Sequence, residues 1–275
     1  MDTPPPEPEA DPEAMTEASE GRTAPLRSQT DVVVHDIKDM IIRGTLVAGA
    51  RLPVEKDLAA SLGVSRSSLR EGVRALAIMG VLETRQGDGT YVTSLDASLL
   101  LAPMGFLVDL QSSADSQHIS SVRRVLEVEA AAKASLLITE EQIAEAGRLL
   151  GTIDDVIEDA SAHDLDAIMN VDIEFHRVIA RASGNPALEA LIEALASRTI
   201  RTRMWRAMTE QDAIQHTHRE HHDILRAVAS GDPDRARLAM SVHLIEVEDF
   251  IASHPAASTQ ASTRPTRRDD APSPE

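Results

Sequence analysis

The chain has 275 residues, a formal net charge of −18 at neutral pH and no cysteine. That length suits one large or two modest domains with real cores, and the missing thiols exclude disulfides and thiol chemistry, in keeping with a reducing cytoplasm. The acidity argues against a nucleic-acid partner until it is counted by region: from Arg27 to Leu95, nine Lys/Arg face eight Asp/Glu. This segment is near neutral and the negative charge sits elsewhere, so nonspecific DNA binding is expected to be modest and salt-sensitive.

Met1 to about Gln29 is acidic and proline-rich, with almost no large apolar residue. It is expected to be disordered and does not have the make-up of a signal peptide. Asp31–Arg43 reads as an amphipathic helix with Val34, Ile37, Ile41 and Ile42 toward a core, ended by Gly44. Leu46–Leu52 runs as a loop or short strand into Pro53. Glu55–Leu62 is a helix packed through Leu58 and Leu62; Val54 before it cannot cap, a cost of about 1 kcal/mol.

Gly63 breaks that helix, and a second follows at once over Val64–Leu76, with Ser65 as N-cap and Leu69, Val73 and Leu76 as its buried stripe. Gly72 inside it costs roughly another 1 kcal/mol. Helix, tight glycine turn, helix is the helix-turn-helix layout. Arg66, Ser67, Ser68 and Arg70 crowd the other face. Arginine bridges guanine O6 and N7, and serine hydroxyls hold phosphates. Val81–Thr84 and Thr90–Thr93 read as two short strands around Arg85-Gln-Gly-Asp-Gly89, a hairpin that adds a wing.

After Ser94 strand-like alternation ends. Seven helical stretches follow, about 97–110, 118–136, 139–159, 163–183, 186–208, 211–230 and 232–253, punctuated by Gly184-Asn-Pro186 and Gly231-Asp-Pro233. Asn185 suits a cap for the helix that Pro186 enters. The longest apolar run, Leu99–Val108, is interrupted by Pro103 and too short to span a bilayer. Residues beyond His254 turn to Ser, Thr, Pro and Arg, and a disordered tail is expected over 255–275.

Four residues of the helical region stand out. Asp172 and His176 lie four apart in VDIEFHRVIA and share a helix face; His221 lies in EHHDILRAV and His243 in SVHLIEV. Three imidazoles and a carboxylate on inward faces of three helices suit a divalent ion. Spacing alone favours the plainer reading, that they are ordinary, partly buried polar residues.

Two resemblances extend this reading. Gly49-Ala-Arg-Leu-Pro53, Glu55, Asp57-Leu-Ala59, Gly63-Val-Ser-Arg66, Leu69-Arg-Glu71, Leu76, Gly80-Val-Leu82 and Arg85-Gln-Gly-Asp-Gly-Thr-Tyr-Val92 resemble the winged-helix signature of GntR-family bacterial transcription regulators. Arg123-Arg-Val-Leu-Glu127, Asp172-Ile-Glu-Phe-His176, Ser183-Gly-Asn185, Glu220-His221, Gly231-Asp232 and His243 resemble the ligand-binding domain of its FadR subfamily. The implied fold is an N-terminal winged helix-turn-helix (small α+β, residues 30–94) followed by an all-α bundle of about seven helices (95–254).

The implied function is a cytoplasmic, homodimeric repressor on a double-stranded DNA operator, with no membrane role, released by a small carboxylate effector. Base readout falls to Arg66 and Arg70. Ser65, Ser67, Ser68, Arg51 and Lys56 hold phosphates or flank bases, and the wing tip (Gln86, Gly87, Gly89) reaches the minor groove. The resemblance makes Asp172, His176, His221 and His243 ligands of a divalent metal ion, zinc first and nickel or manganese as alternatives, with His221 preferred over His222. Arg123 is the effector's second anchor, or else half of a surface ion pair. Arg198, Arg201, Arg203 and Arg206 line the pocket mouth or form a solvated face. The alternatives are a metal-dependent hydrolase and an architectural DNA-binding protein with a structural metal.

Overall fold

The structure is a computed structural model and describes residues 28–110, 116–158, 165–210 and 212–254. Residues 1–27 and 255–275, expected to be disordered, lie outside the described residues. Helix α1 spans Gln29–Ile42 and begins two residues before the sequence pattern suggests. The cause is a capping box: the Asp31 amide donates to Ser28 Oγ, and the Ser28 amide donates to the Asp31 carboxylate, both at 3.1 Å. Gln29, assigned above to the tail, is therefore the first helical residue. The buried stripe also differs from the expected one. Val33 and Ile37 are fully buried, Val34 and Ile41 pack at the edge, and Ile42 is 73% exposed.

Helices α2 (Glu55–Leu62) and α3 (Arg66–Ile78) meet at Gly63, whose φ of 66° is left-handed. Val54 makes no side-chain capping bond, as its chemistry dictates. Gly72 is different from the sequence reading. A Cβ there would lie 2.5 Å from Cγ1 of Val33 on α1. The glycine lets α1 and α3 approach closely, and is more than a cost in helix propensity. Gly72→Ala is therefore expected to lower stability by about 1–3 kcal/mol through overpacking, against the roughly 1 kcal/mol that propensity alone would add. Urea denaturation measures the sign.

Strands β1 (Leu82–Arg85) and β2 (Gly89–Val92) pair antiparallel, from Leu82 opposite Val92 to Arg85 opposite Gly89. Each is shifted by one residue from the expected span. The 46–52 segment joins them as an edge: the Leu52 amide donates to Thr90 O at 2.8 Å, and Arg51 bridges to Tyr91. Ile37, Leu58, Leu69, Leu76, Leu82 and Val92 form the core of this module.

The rest is helical: α4 (Ala97–Leu110), α5 (Ser116–Leu137), α6 (Glu140–Gly151), α7 (Asp154–Glu158), α8 (Leu165–Ala182), α9 (Pro186–Thr209), α10 (Ala213–Ala229) and α11 (Pro233–Ser253). Of the seven expected stretches, 139–159 carries two helices. Two poor helix formers, Gly151 and Thr152, sit at the break. The Thr152 hydroxyl donates to the Leu149 carbonyl at 2.6 Å, and the amides of Thr152 and Ile153 turn to carbonyls three residues back. Helix α4 runs through Pro103 and packs on α9, while α5 lies along α11. Asn185 and Asp232 cap α9 and α11 ahead of a proline at the first turn. Leu150, Phe175, Ile179, Ile224 and Met240 are the fully buried centre, drawn from α6, α8, α10 and α11.

Candidate metal centre and nucleic-acid interface

The serine-rich start of α3 is exposed, with Ser65 as its N-cap: Ser65 Oγ accepts from the Ser68 amide at 3.1 Å. Arg66 and Ser67 project to solvent. Ser68 turns partly inward and donates to Gln29 Oε1 at 3.1 Å. Arg70 is exposed but held: its Nε and Nη2 lie 2.9 and 2.8 Å from Glu55 Oε2 on α2. Lys56 is exposed.

The wing has its own internal clamp. Arg51 Nη2 donates to the Asp88 carbonyl, and a Cβ at Gly89 would come 2.7 Å from Arg51 Nε, so a side chain there would displace the guanidinium. Gln86 and Gly87 remain exposed at the tip. Arg85, absent from the expected contact set, lies over the Tyr91 ring at 4.3 Å. Arg51, Arg70, Arg85 and Gln86 line a cleft of roughly 410 Å³ between α3 and the wing. Three arginines thus border one surface of a module whose total charge is nearly zero.

The interior histidines come together. Asp172 and His176 project from α8, His221 from α10 and His243 from α11, all at most 4% exposed. One ring nitrogen from each of His176, His221 and His243 lies within 4.8 Å of the others. Ring centroids are 4.9–5.3 Å apart, and Asp172 Oδ1 is 3.5 Å from His221 Nε2. Phe175 stacks on His221 at 4.7 Å and fixes its plane.

Two carboxylates outside the expected set hold the imidazoles. Glu127 Oε2 contacts His176 Nδ1, and Glu220 Oε2 is 2.9 Å from His243 Nδ1. A carboxylate on one ring nitrogen orients the other toward a metal and raises its basicity. Both ring nitrogens of His176 are buried with no hydrogen-bond partner among the described residues, Nδ1 having its ion-pair contact with Glu127. That is costly for a packing histidine and natural for a ligand. The donor set and its orientation therefore fit a divalent ion. His222 faces elsewhere, toward His218.

Arg123 is 2% exposed, and its Nε pairs with Glu127 Oε1. Its ion pair lies in the interior, whereas the sequence alternative placed it on the surface. A cavity of about 30 Å³ adjoins the site, bordered by Asp172, His221, His218, Thr217 and Arg206. Arg206 is 9% exposed and pairs with Glu210 at 2.7 Å, while its buried Nη1 has no partner among the described residues. The side chains of Arg198, Arg201 and Arg203 lie outside the described residues. Glu127 and Glu220 were visible in the motifs as acids beside the ligand helices; nothing in the sequence singled out Arg206 from its neighbours.

Burial, and then the charge of Glu246, push the Glu220 carboxyl up from 4.5 to about 7. Its folded-state pKa exceeds the unfolded one, so its contribution is full below about pH 4.5 and is lost as pH rises through 7. Metal-stripped protein is therefore expected to lose on the order of 2 kcal/mol between these limits. Glu220→Gln should flatten that segment of the stability–pH curve, measured by urea denaturation.

Residues 29–92 match the family described as "Bacterial regulatory proteins, gntR family", and residues 118–246 match the FCD domain. The chain is similar to the HTH-type transcriptional regulator LutR of Bacillus subtilis (strain 168), at 31% identity over 223 residues, 78% of this chain and 97% of that protein. It is similar to the HTH-type transcriptional repressor NanR of Klebsiella aerogenes, at 29% identity over 233 residues, 82% of this chain and 87% of that one. Among solved structures it is similar to Streptococcus agalactiae GntR, with a TM-score of 0.57 and 29% identity, covering 80% of this chain and 99% of that one.

Proposed function

Because the chain belongs to the gntR family of bacterial regulatory proteins and is a DNA-binding transcriptional regulator rather than an enzyme, we propose that it is a homodimeric repressor, released from its operator when a small organic acid binds at a divalent ion in the helical domain. The observation that carries this reading is the convergence of His176, His221 and His243 beside Asp172, with Glu127 and Glu220 behind two of the rings. These four residues would hold the ion, zinc before nickel or manganese. Bound there, it would offer open coordination positions to a carboxylate and offset its charge.

The protein's own groups define what enters. The cavity beside the site has room for about one water or ion, so an organic acid must part the helices that wall it. Ile153, Ile157, Ile168 and Ile214 make that wall apolar and limit the acid to a small one. Arg206 Nη1 supplies a buried donor for a second carboxylate or hydroxyl. In this reading Arg206 takes the anchoring role, and Arg123 acts through Glu127. Regulation follows if the acid binds the opened arrangement better than the closed one.

The dimer rests on a bare apolar face. Val122 and Val125 of α5 are 50% and 65% exposed, and Leu238 and Val242 of the adjoining α11 are 67% and 47% exposed. Two such stripes side by side suit a second copy. A two-fold dimer would read a two-fold operator. Each module would offer Arg66 and Arg70 to the major groove and the Gln86–Gly89 tip to the minor groove, with Ser65, Ser67, Ser68, Arg51 and Lys56 toward phosphates and flanking bases. Among the described residues no helix is long and apolar enough to cross a membrane.

The test is fluorescence anisotropy on DNA selected from a random pool, with small hydroxy- and dicarboxylic acids added. A matching acid should weaken DNA binding roughly 5–150-fold, the usual range of such coupling. His176→Ala should bind the DNA and ignore the acid. An equal response in His176→Ala would contradict the proposal.

A further inference from the structure

Helix α10 carries four histidines in seven residues, His216, His218, His221 and His222, and only His221 belongs to the interior group. His216 lies 2.7 Å from Glu246, in a group where Arg206 already supplies positive charge. His218 and His222 stand four residues apart, on one face of the helix, with ring centroids 4.7 Å apart. Nε2 of His222 is 3.2 Å from Nε2 of His218. Oδ1 of Asp154, at the start of α7, is 2.7 Å from that same His218 nitrogen.

A proton on His218 Nε2 serves only one contact of this trio well. Nε2 of His218 carries at most one hydrogen. Directed at Asp154, that hydrogen leaves the contact with His222 unserved. When His222 donates instead, His218 and Asp154 face each other lone pair to lone pair. A cation where the three atoms converge satisfies all of them. The spacing suits this: ligands 2.0–2.1 Å from one ion lie about 3.0 Å apart in octahedral and about 3.4 Å apart in tetrahedral geometry. Histidines four apart on a helix are a recurrent metal-binding spacing. Two imidazoles with one carboxylate select a borderline transition metal over calcium or magnesium.

We propose that Asp154, His218 and His222 form a second divalent transition-metal site, which shares α10 with the interior site but none of its ligands. It is the weaker of the two. His218 Nδ1 is buried without a hydrogen-bond partner among the described residues, so this imidazole lacks the carboxylate support that His176 and His243 have. The Asp154 side chain is also 55% exposed. An ion here ties α7 to α10 beside the cavity that His218 borders, and its occupancy follows the free metal concentration.

Cobalt(II) titration of the metal-stripped full chain, followed by visible absorbance and calorimetry, tests this. The wild type should take up two equivalents, the second at least tenfold more weakly. His222→Ala should lose the weak equivalent and keep the tight one, while His176→Ala should lose the tight one and keep the weak one. Asp154→Asn, at a side chain 55% exposed, should weaken only the second event by tenfold or more. Uptake in His222→Ala and Asp154→Asn identical to the wild type overturns the proposal. Loss of the only equivalent in His222→Ala upholds it and contradicts the interior site instead.

Discussion

Replacing Arg123 with methionine is expected to cost the helical domain about 3–5 kcal/mol, the usual result of leaving one member of a buried ion pair without its partner. Arg123 and Glu127 are each 2% exposed and paired one turn apart on α5. Without the guanidinium, the Glu127 carboxylate stays in a low-dielectric interior with its compensation reduced. Glu127 also contacts His176 Nδ1, so the damage extends to the site. Loss of an outer partner of this kind typically lowers metal affinity about 10–100-fold. The double variant Arg123→Met/Glu127→Gln should regain part of the stability and none of the metal affinity. Urea denaturation with calorimetric metal titration reads both quantities. A single variant within about 0.5 kcal/mol of wild type would mean that the pair is solvated and that Arg123 is available to a ligand.

Arg70→Ala and Arg66→Ala are each expected to remove about 1–3 kcal/mol of discrimination between operator and unrelated DNA, the worth of a bidentate arginine–guanine contact. The two differ in what the free protein must give up. Arg66 projects to solvent from the first turn of α3, whereas Arg70 exchanges its two contacts with Glu55 for DNA. Discrimination through Arg70 is thus a difference between two bound states of the same guanidinium, and its loss should fall toward the lower end of the range. Lys56→Ala should weaken all sequences alike and reduce the salt slope by about one. Unchanged discrimination in both arginine variants would move base readout to the wing, where Arg85 is the next cation.

The winged module was legible because its signals are local. Gly63 as a left-handed turn, Ser65 as a cap and the glycine-bounded hairpin all act within a few residues. What escaped depends on contact between segments far apart in sequence. Gly72 reads as a flaw in a helix until Val33 is found against it. The burial of Val33 in place of Ile42 follows from the angle at which α1 meets α3, which periodicity does not carry. In the helical domain, spacing placed Asp172 and His176 on one face and singled out His221 and His243 on two other helices, and the resemblance favoured a metal over ordinary packing. Nothing in the sequence tells that Glu127 and Glu220 reach the two rings, since that requires α5 against α8 and α10 against α11. The break at Gly151-Thr152 was missed because the apolar period continues across it, while Thr152 diverts the Leu149 carbonyl. His222, weighed only as a rival of His221, instead turns to His218.

The measurement to make first is the metal content of the purified protein beside its His176→Ala variant, with thermal stability recorded on both before and after chelation. Near one tight equivalent in the wild type, absent from the variant, with a melting temperature that falls on chelation only in the wild type, is the result expected of a metal centre in the bundle. No tight metal in either protein, with equal and chelator-insensitive melting, would contradict it and return His176, His221 and His243 to ordinary packing, while leaving the DNA-binding module as described.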